Sequence, residues 1–413
     1  MEKVRRLVFD LSSIQGESGY RGIGRVGWEI ISRLIKVLDK SWKIHGILCS
    51  HLDTQRGLQI RENILSIRED IEIEIFESSN FSNYFNILSE QPEWVNVYEI
   101  TLEYFISQLK PHIYFNPSHF ECDHPTSLKK LKGSWYDWLI IYDLIPYLFP
   151  EFYLSFHPQD KWYYQKLKEV NAADFYFAIS ETTKSDFVNY LSIAPEKIEV
   201  TYLDASTTFR KLNEEDKKKA SHHLKQKFNL ESFILYVSGG FDYRKNLHTL
   251  FKAFALLPYS LKRVYKLVIA SKVNDEIRKN LYKLAKDSGI DRGKIVLTDF
   301  VSDEELNMLY NLTSLFVYPS LYEGFGLPVL EAMRAGAPVL GSNSSSIKEI
   351  ISIEDAMFNP ENAEDMAGKI IKALTYKNYR DFLINNSEIQ QKRFSWEKTV
   401  QRIATILEET FHD

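Results

Sequence analysis

Short apolar runs alternate along this chain with longer segments of mixed character. RLVFDLS (6–12), KIHGILCS (43–50), IEIEIF (71–76), HIYFN (112–116), WLIIYD (138–143), FYFAIS (175–180) and IEVTYL (198–203) each have the length of a buried strand. The segments between them leave room for crossover helices. A charged, lysine-rich stretch from Arg210 to Lys227 interrupts this rhythm, which restarts with FILYVSG (233–239), KLVIAS (266–271), KIVLTDF (294–300), SLFVYPS (314–320) and APVLGSN (337–343). From Ala363 to His412 the pattern reads mostly as helix. Strand, helix, strand alternation predicts parallel sheets, so the pattern predicts an α/β chain of two doubly wound, Rossmann-like lobes joined near residues 206–230. In such sheets ligands sit outside the carboxyl ends of the strands, which makes the loops there, and a cleft between facing lobes, the places to look for chemistry.

At 413 residues the chain exceeds the ~250 at which single cores stop growing, in agreement with two lobes. Hydrophobic content of 44% with 26% charge is that of a soluble globular protein. A net charge of -5 argues against a general nucleic-acid binder, which needs a basic face. The two cysteines, Cys49 and Cys122, have no metal-ligand spacing, so neither a disulfide framework nor a thiolate zinc site is expected, and a reducing, cytoplasmic setting fits best. The start, MEKVRRLVFDLSS, has no apolar core of signal-peptide length. With no run of about 18 apolar residues anywhere, neither secretion by signal peptide nor a membrane span is expected.

GYRGIGRVGW (19–28) contains a literal G-x-G-x-x-G after the first strand run. A dinucleotide fingerprint needs its first glycine at the strand end and an acidic residue closing the second strand. Here about ten residues separate Leu11 from Gly22, and the second strand ends Leu48-Cys49-Ser50, so a nicotinamide or flavin enzyme is disfavoured. Two readings remain. One is a glycine loop that lets a ligand approach the backbone, with Arg21 or Arg25 for anionic groups; the other is a flexible turn with one helix-start glycine.

The most informative segment is VYPSLYEGFGLPVLEAMRAGAPVLGSN (317–343). After a strand ending Tyr318-Pro319-Ser320 comes a loop with Gly324 and Gly326, then Pro328 suits the first turn of a helix running through Met333. The amino end of that helix attracts anions, but its dipole contributes only about 0.3–2 kcal/mol, so a diphosphate also needs basic side chains. Arg244-Lys245, in SGGFDYRKNLHTL (238–250), follow the first strand of the same lobe and are read either as phosphate ligands or as a solvated basic pair. Glu323 and Glu331 near a diphosphate make sense as acceptors of hydroxyl hydrogen bonds from a sugar and a ribose; singly, each is also an ordinary loop or helix-start carboxylate.

At these residues the chain resembles the retaining GT-B-fold glycosyltransferases of family four, also called group one. The matching residues are Glu323-Gly324-Phe325-Gly326-Leu327-Pro328 with Glu331, then Ala335-Gly336-Ala337-Pro338-Val339, and Arg244-Lys245-Asn246. Weaker similarity extends to RGIGR (21–25), YDLIPYLFP (142–150), AISETTKSD (178–186) and FSW (394–396). The resemblance implies an acceptor lobe, 1–208, a donor lobe, 209–395, and a last helix, 396–413, crossing back to the first lobe. It implies a nucleotide-diphosphate sugar donor, GDP-mannose first and dTDP-rhamnose next, and a glycan or glycolipid acceptor. By it Glu331 binds the ribose and Glu323 the transferred sugar, with the amides of Phe325, Gly326 and Leu327 near the phosphates and sugar. Lys245 and Arg244 neutralise the leaving diphosphate. Gly240 and Gly324 belong to the donor loops, and Thr298-Asp299-Phe300-Val301, with Phe300 and Val301, resembles the base-contacting turn. Gly22 and Gly24 then resemble the family's amino-terminal glycine loop, at the donor phosphates and acceptor. No cofactor is implied, and with no Asp-x-Asp in the chain no metal is either.

Two departures stand out. Tyr142-Asp143 occupies the place of a His-Asp pair common in relatives, and a phenol with an ordinary pKa of about 10 does not titrate near neutrality as imidazole does. Gly240 stands where many relatives have arginine. The alternative to an enzyme is therefore a nucleotide-sugar-binding subunit that partners another glycosyltransferase; a phosphorylase of similar fold lacks an identifiable pyridoxal lysine. His119 and His124, around Cys122 and Asp123, are read as an acceptor-facing or ordinary loop in preference to zinc ligands. Lys161-Trp162-Tyr163-Tyr164 with Lys166 and Lys168 is read either as peripheral contact with the inner face of a membrane or as a helix with buried aromatics.

Overall fold

A computed structural model of the chain describes residues 4–20, 22–78, 84–128, 135–154 and 157–411. It divides into two compact units, residues 1–203 with 395–413, and 204–394. The first unit is built on β1 (Arg5–Asp10), β2 (Trp42–Cys49), β3 (Glu72–Phe76), β4 (Ile113–Asn116), β5 (Tyr136–Ile141), β6 (Phe175–Ala178) and β7 (Ile198–Val200). They form one sheet in the order β3-β2-β1-β4-β5-β6-β7, parallel throughout. The second unit is built on β8 (Phe233–Val237), β9 (Lys266–Ala270), β10 (Ile295–Leu297), β11 (Leu315–Tyr318), β12 (Val339–Ser342) and β13 (Met357–Phe358), again parallel, in the order β10-β9-β8-β11-β12-β13. Twelve of these strands lie on the apolar runs. β13, two residues paired to Gly341 and Ser342, is too short to show as one.

In the first unit the apolar strand β1 buries Leu7, Val8 and Phe9, each contributing ~1.5–3 kcal/mol if fully buried. The helix Gly22–Val37 packs its buried Val26, Ile30, Ile31 and Leu34 against the last helix, Trp396–Glu409, which buries Trp396, Val400, Ile403 and Leu407. Ser395 caps that helix by accepting from the amide of Lys398. Its far end is tied to the sheet: Glu408 is ion-paired to Arg5 and accepts from Trp42 Nε1 at 2.7 Å, and Arg402 meets Glu199 at 2.6 Å.

The helix Trp94–Leu109 buries Val95, Leu102 and Ile106, but its polar and apolar faces are mixed. It also buries Glu99 and Glu103 and exposes Trp94, Val97, Ile100 and Tyr104. Glu99 is paired there with Lys166 on the helix His157–Val170, which is fully buried and in contact with Glu99 (2.8 Å), Glu169 (2.9 Å) and the carbonyl of Thr126 (2.6 Å). Burial alone lowers the pKa of an amine, but Tyr84, Glu99 and Glu169 outweigh it and hold Lys166 above its usual range. Of residues 161–168, Trp162, Tyr163 and Lys166 are in the core, while Lys161, Tyr164 and Lys168 are exposed. Among the described residues no helix is long and apolar enough to cross a membrane.

In the second unit the lysine-rich stretch is a helix, Glu214–Phe228, not a connector. Asn213 caps it, Glu214, Glu215 and Asp216 fill its first turn, and Lys225 and Lys227 its last, which matches the helix dipole at both ends. It buries only Ala220 and Leu224, packing on the helix Asp303–Leu312.

Candidate active site

The order of the second sheet reverses between β8 and β11, and ligands in open parallel sheets bind where such a reversal opens a crevice. The loops after these two strands carry the chemistry. After β8, Ser238 Oγ donates to the carbonyl of Gly240 at 2.7 Å and accepts from its amide at 3.2 Å, closing a tight turn. A short 3-10 turn, Tyr243–Lys245, then presents Arg244 and Lys245. It ends at Asn246, whose φ of 56° lies in the left-handed region that asparagine tolerates. Asn246 Nδ2 donates to the carbonyls of Pro319 (3.0 Å) and Pro360 (2.7 Å), and the amide of Leu321 donates to the carbonyl of Arg244 (2.7 Å), so the two loops are sewn together.

Glu323 is the centre of this arrangement. Its Oε1 accepts from Lys245 Nζ at 2.7 Å and from Tyr318 OH at 2.9 Å, and its Oε2 accepts from Arg244 Nη1 at 2.6 Å. The residue is 7% exposed. Burial pushes its carboxyl up, and Lys245 and Arg244 more than reverse this, holding it below the usual carboxylate range and therefore ionised at neutral pH. Burial and the adjacent Glu323 carry the Tyr318 phenol well above its ordinary value, so it remains a donor. Arg244 also reaches Asp242 (3.2 Å) and the carbonyl of Tyr322 (3.1 Å). An ammonium has three donors, so Lys245 has capacity for a second anion beside Glu323.

Three consecutive serines after β12 fix the loop that carries Glu323. Ser344 Oγ donates to the carbonyl of Leu321, Ser345 Oγ accepts from the amide of Glu323 (2.9 Å), and Ser346 Oγ donates to the carbonyls of Glu323 (2.9 Å) and Phe325 (2.6 Å). Gly326 has φ of 113°, and a Cβ there would lie 2.5 Å from Ile347 Cδ1; it is the turn that starts the helix Leu327–Arg334, with Pro328 in the first turn. Glu331, half-buried one turn in, accepts from Tyr310 OH at 2.9 Å. Sequence reasoning missed Tyr310 and Ser344–Ser346, and it placed Asn246 in a motif and Tyr318 at a strand end without seeing what either side chain holds. The SNSSS run closing β12 was the one legible signal.

Residues 218–390 match the family described as glycosyl transferases group 1. The chain is 31% identical over 396 residues to the serotype-specific mannosyltransferase WbdA of Escherichia coli, covering 95% of this chain and 46% of the relative. The chain thus spans about half the length of that relative. It is 26% identical to the O-antigen chain mannosyltransferase B of Escherichia coli, over 92% of this chain and 94% of that protein. The solved structure of Anabaena HepE in complex with UDP and glucose matches with a TM-score of 0.68 at 16% identity, covering 98% of this chain and 100% of that one, a likeness of the two-lobed GT-B fold.

Within the matched residues the turn after β10 holds Asp299 at φ of 60°, ion-paired to Arg278 at 2.5 Å, and leaves Phe300 75% exposed with Val301 half-buried beside it. Gly240, Gly324, Phe325 and Leu327 fall on the same loops as Lys245 and Glu323.

In the first unit the sheet order reverses between β1 and β4. The opening glycines follow β1, but they are not a loop. Gly22 and Gly24 lie in the first turn of the helix Gly22–Val37, and a Cβ on Gly24 would lie 2.3 Å from the Cα of Gly19, so close backbone packing alone requires glycine at 24. Gly22 alone faces open space. Arg21 lies outside the described residues. The segment is held by the loop after β4: the amide of Glu17 donates to Asp123 Oδ2 (2.9 Å), and Ser18 Oγ donates to Glu121 Oε2 (2.6 Å). His124 pairs with Asp123 at 2.9 Å while His119 faces Glu169 at 3.2 Å, so the two histidines serve different partners and form no zinc pair. Tyr142 OH donates to the carbonyl of Ile23 at 3.3 Å, and burial and then Glu121 drive its phenol upward, which rules out a base near neutrality. Asp143 Oδ1 accepts from the amide of Ile145 at 3.0 Å and caps a turn.

Proposed function

We propose that the chain is a retaining glycosyltransferase that moves a hexose from a nucleoside-diphosphate donor to a hydroxyl of a glycan or glycolipid. The observation that supports it most is Glu323 clamped between Lys245 and Arg244 at the crevice between β8 and β11. In this reading the diphosphate lies over the amino end of the helix Leu327–Arg334, where Lys245 and Arg244 stabilise its leaving charge, and Glu331 takes the ribose hydroxyls. Glu323 orients both cations and accepts from a hydroxyl of the transferred sugar. The acceptor oxygen bonds to the anomeric carbon on the face from which the diphosphate departs, and a phosphate oxygen takes its proton. This route asks nothing of a base at Tyr142, in keeping with its raised phenol. Two relatives named as mannosyltransferases favour GDP-mannose as donor and a surface polysaccharide as product.

A thermal-shift and hydrolysis screen against GDP-, UDP-, dTDP- and ADP-sugars tests this. GDP-mannose is expected to stabilise the protein and to release GDP slowly, with both effects lost in Lys245→Ala. Stabilisation without turnover in the presence of mannosyl glycans selects the binding subunit. No response to any donor refutes the site.

A further inference from the structure

A second cluster lies in the first unit, on the edge of its sheet. His45 on β2 pairs in register with Glu72 on the edge strand β3, and Glu74, two residues on, shares the face of Glu72. One ligand atom from each of the three lies within 4.8 Å of the others. We infer that His45, Glu72 and Glu74 form a zinc site.

The distances carry the argument. His45 Nδ1 is 3.4 Å from Glu72 Oε2 and 3.5 Å from Glu74 Oε1. Both are long for a charge-assisted hydrogen bond, which runs at about 2.7–2.9 Å. They match the edge of a tetrahedron whose centre is bonded to each vertex at about 2.1 Å, an edge of about 3.4 Å. His45 is 4% exposed, and neither of its ring nitrogens has a hydrogen-bond partner; a metal bond would satisfy Nδ1, the nitrogen that faces the two carboxylates.

Lys43, on the same strand and face, holds Glu72 Oε1 at 2.8 Å while Oε2 points to His45. That is the arrangement of an outer partner orienting a ligand that binds through one oxygen. One imidazole and two carboxylates with a water complete four positions and suit zinc better than magnesium, which demands an octahedron of oxygens. The site belongs to the first unit and uses no residue of the proposed donor site. Its expected role is to cross-link the edge strand β3 to β2.

The test is calorimetric titration of untagged, chelator-stripped protein with zinc, with thermal unfolding alongside. One equivalent that magnesium does not displace is expected, together with a rise in melting temperature. Glu74→Gln, a partly exposed change that leaves the fold intact, is expected to weaken that equivalent at least tenfold, and His45→Gln to abolish it, with donor cleavage unchanged in Glu74→Gln. Absence of such an equivalent, or one equally tight in both variants, overturns the inference.

Discussion

Replacing Glu323 by glutamine tests whether an ionised carboxylate holds the donor loops together. The substitution keeps the shape and removes the charge. Arg244 retains Asp242 and the carbonyl of Tyr322, but Lys245 Nζ, in a side chain only 9% exposed, loses the carboxylate it meets at 2.7 Å. Breaking a buried pair by removing one partner typically costs about 3–5 kcal/mol. Because Arg244 keeps other partners, the lower end, about 3 kcal/mol, applies here. For a unit of this size each kcal/mol moves the melting temperature by about 2–4 °C, so a loss of about 6–12 °C is expected in the transition of the second unit at pH 7.

The pH dependence gives the same experiment a second readout. Glu323 has a folded pKa below its ordinary value of 4.5. Its contribution is therefore fully present above that value and is lost as the pH falls through the lowered one. Wild type and Glu323→Gln should differ by the full amount from pH 5 to 8 and converge as the solution is acidified below the ordinary carboxylate range. Calorimetric melts over that range decide the matter. A gap that is constant with pH would refute the claim that the carboxylate charge does the holding, leaving only a packing effect.

Three further substitutions follow from the geometry. Gly326→Ala places a Cβ at a φ of 113° and 2.5 Å from Ile347, and should cost about 1–3 kcal/mol in a thermal melt and weaken nucleotide binding. Tyr310→Phe removes the hydroxyl that Glu331 accepts from at 2.9 Å; the fold should survive, and nucleotide affinity measured by calorimetry should fall about fivefold, the equivalent of roughly 1 kcal/mol. Lys166→Met leaves Glu99 and Glu169 buried without their cation and should destabilise the first unit by about 3–5 kcal/mol, whereas adding Glu99→Gln and Glu169→Gln should restore much of the loss in chemical unfolding.

The parallel strands were legible because a strand covered on both faces needs an unbroken apolar run, and β1, β5 and β8 have one. Where burial is not apolar, the pattern misleads. Glu214–Phe228 buries two side chains out of a charged helix and so looks like a linker, yet its cap and end charges are those of a well-defined helix. Trp94–Leu109 misleads in the opposite sense, since its buried Glu99 is paired with a lysine more than sixty residues further along the chain. No local rule sees that pairing.

The candidate site divides along the same line. Glu323, Gly326 and Glu331 stand close together in sequence, and their spacing on a loop and one helix is enough to mark them. Their partners are distant: Lys245 and Arg244 lie 78 and 79 residues before Glu323, and become neighbours only because β8 and β11 adjoin at the point where the sheet order reverses. Gly24 shows the converse error. Its place in a glycine motif suggests exposure to a ligand, while the backbone of Gly19 already fills the space a side chain would take. A glycine is required both where a ligand approaches and where the chain approaches itself, and only the neighbouring atoms distinguish the two. For this chain the loop that carries Glu323 is built by the second kind of constraint: Gly326 makes room for Ile347, and Ser344, Ser345 and Ser346 satisfy the backbone around it. The charge at Glu323 is thus held by a fully bonded loop, which under the proposed function is the condition for Lys245 and Arg244 to stabilise a leaving group without first reorganising.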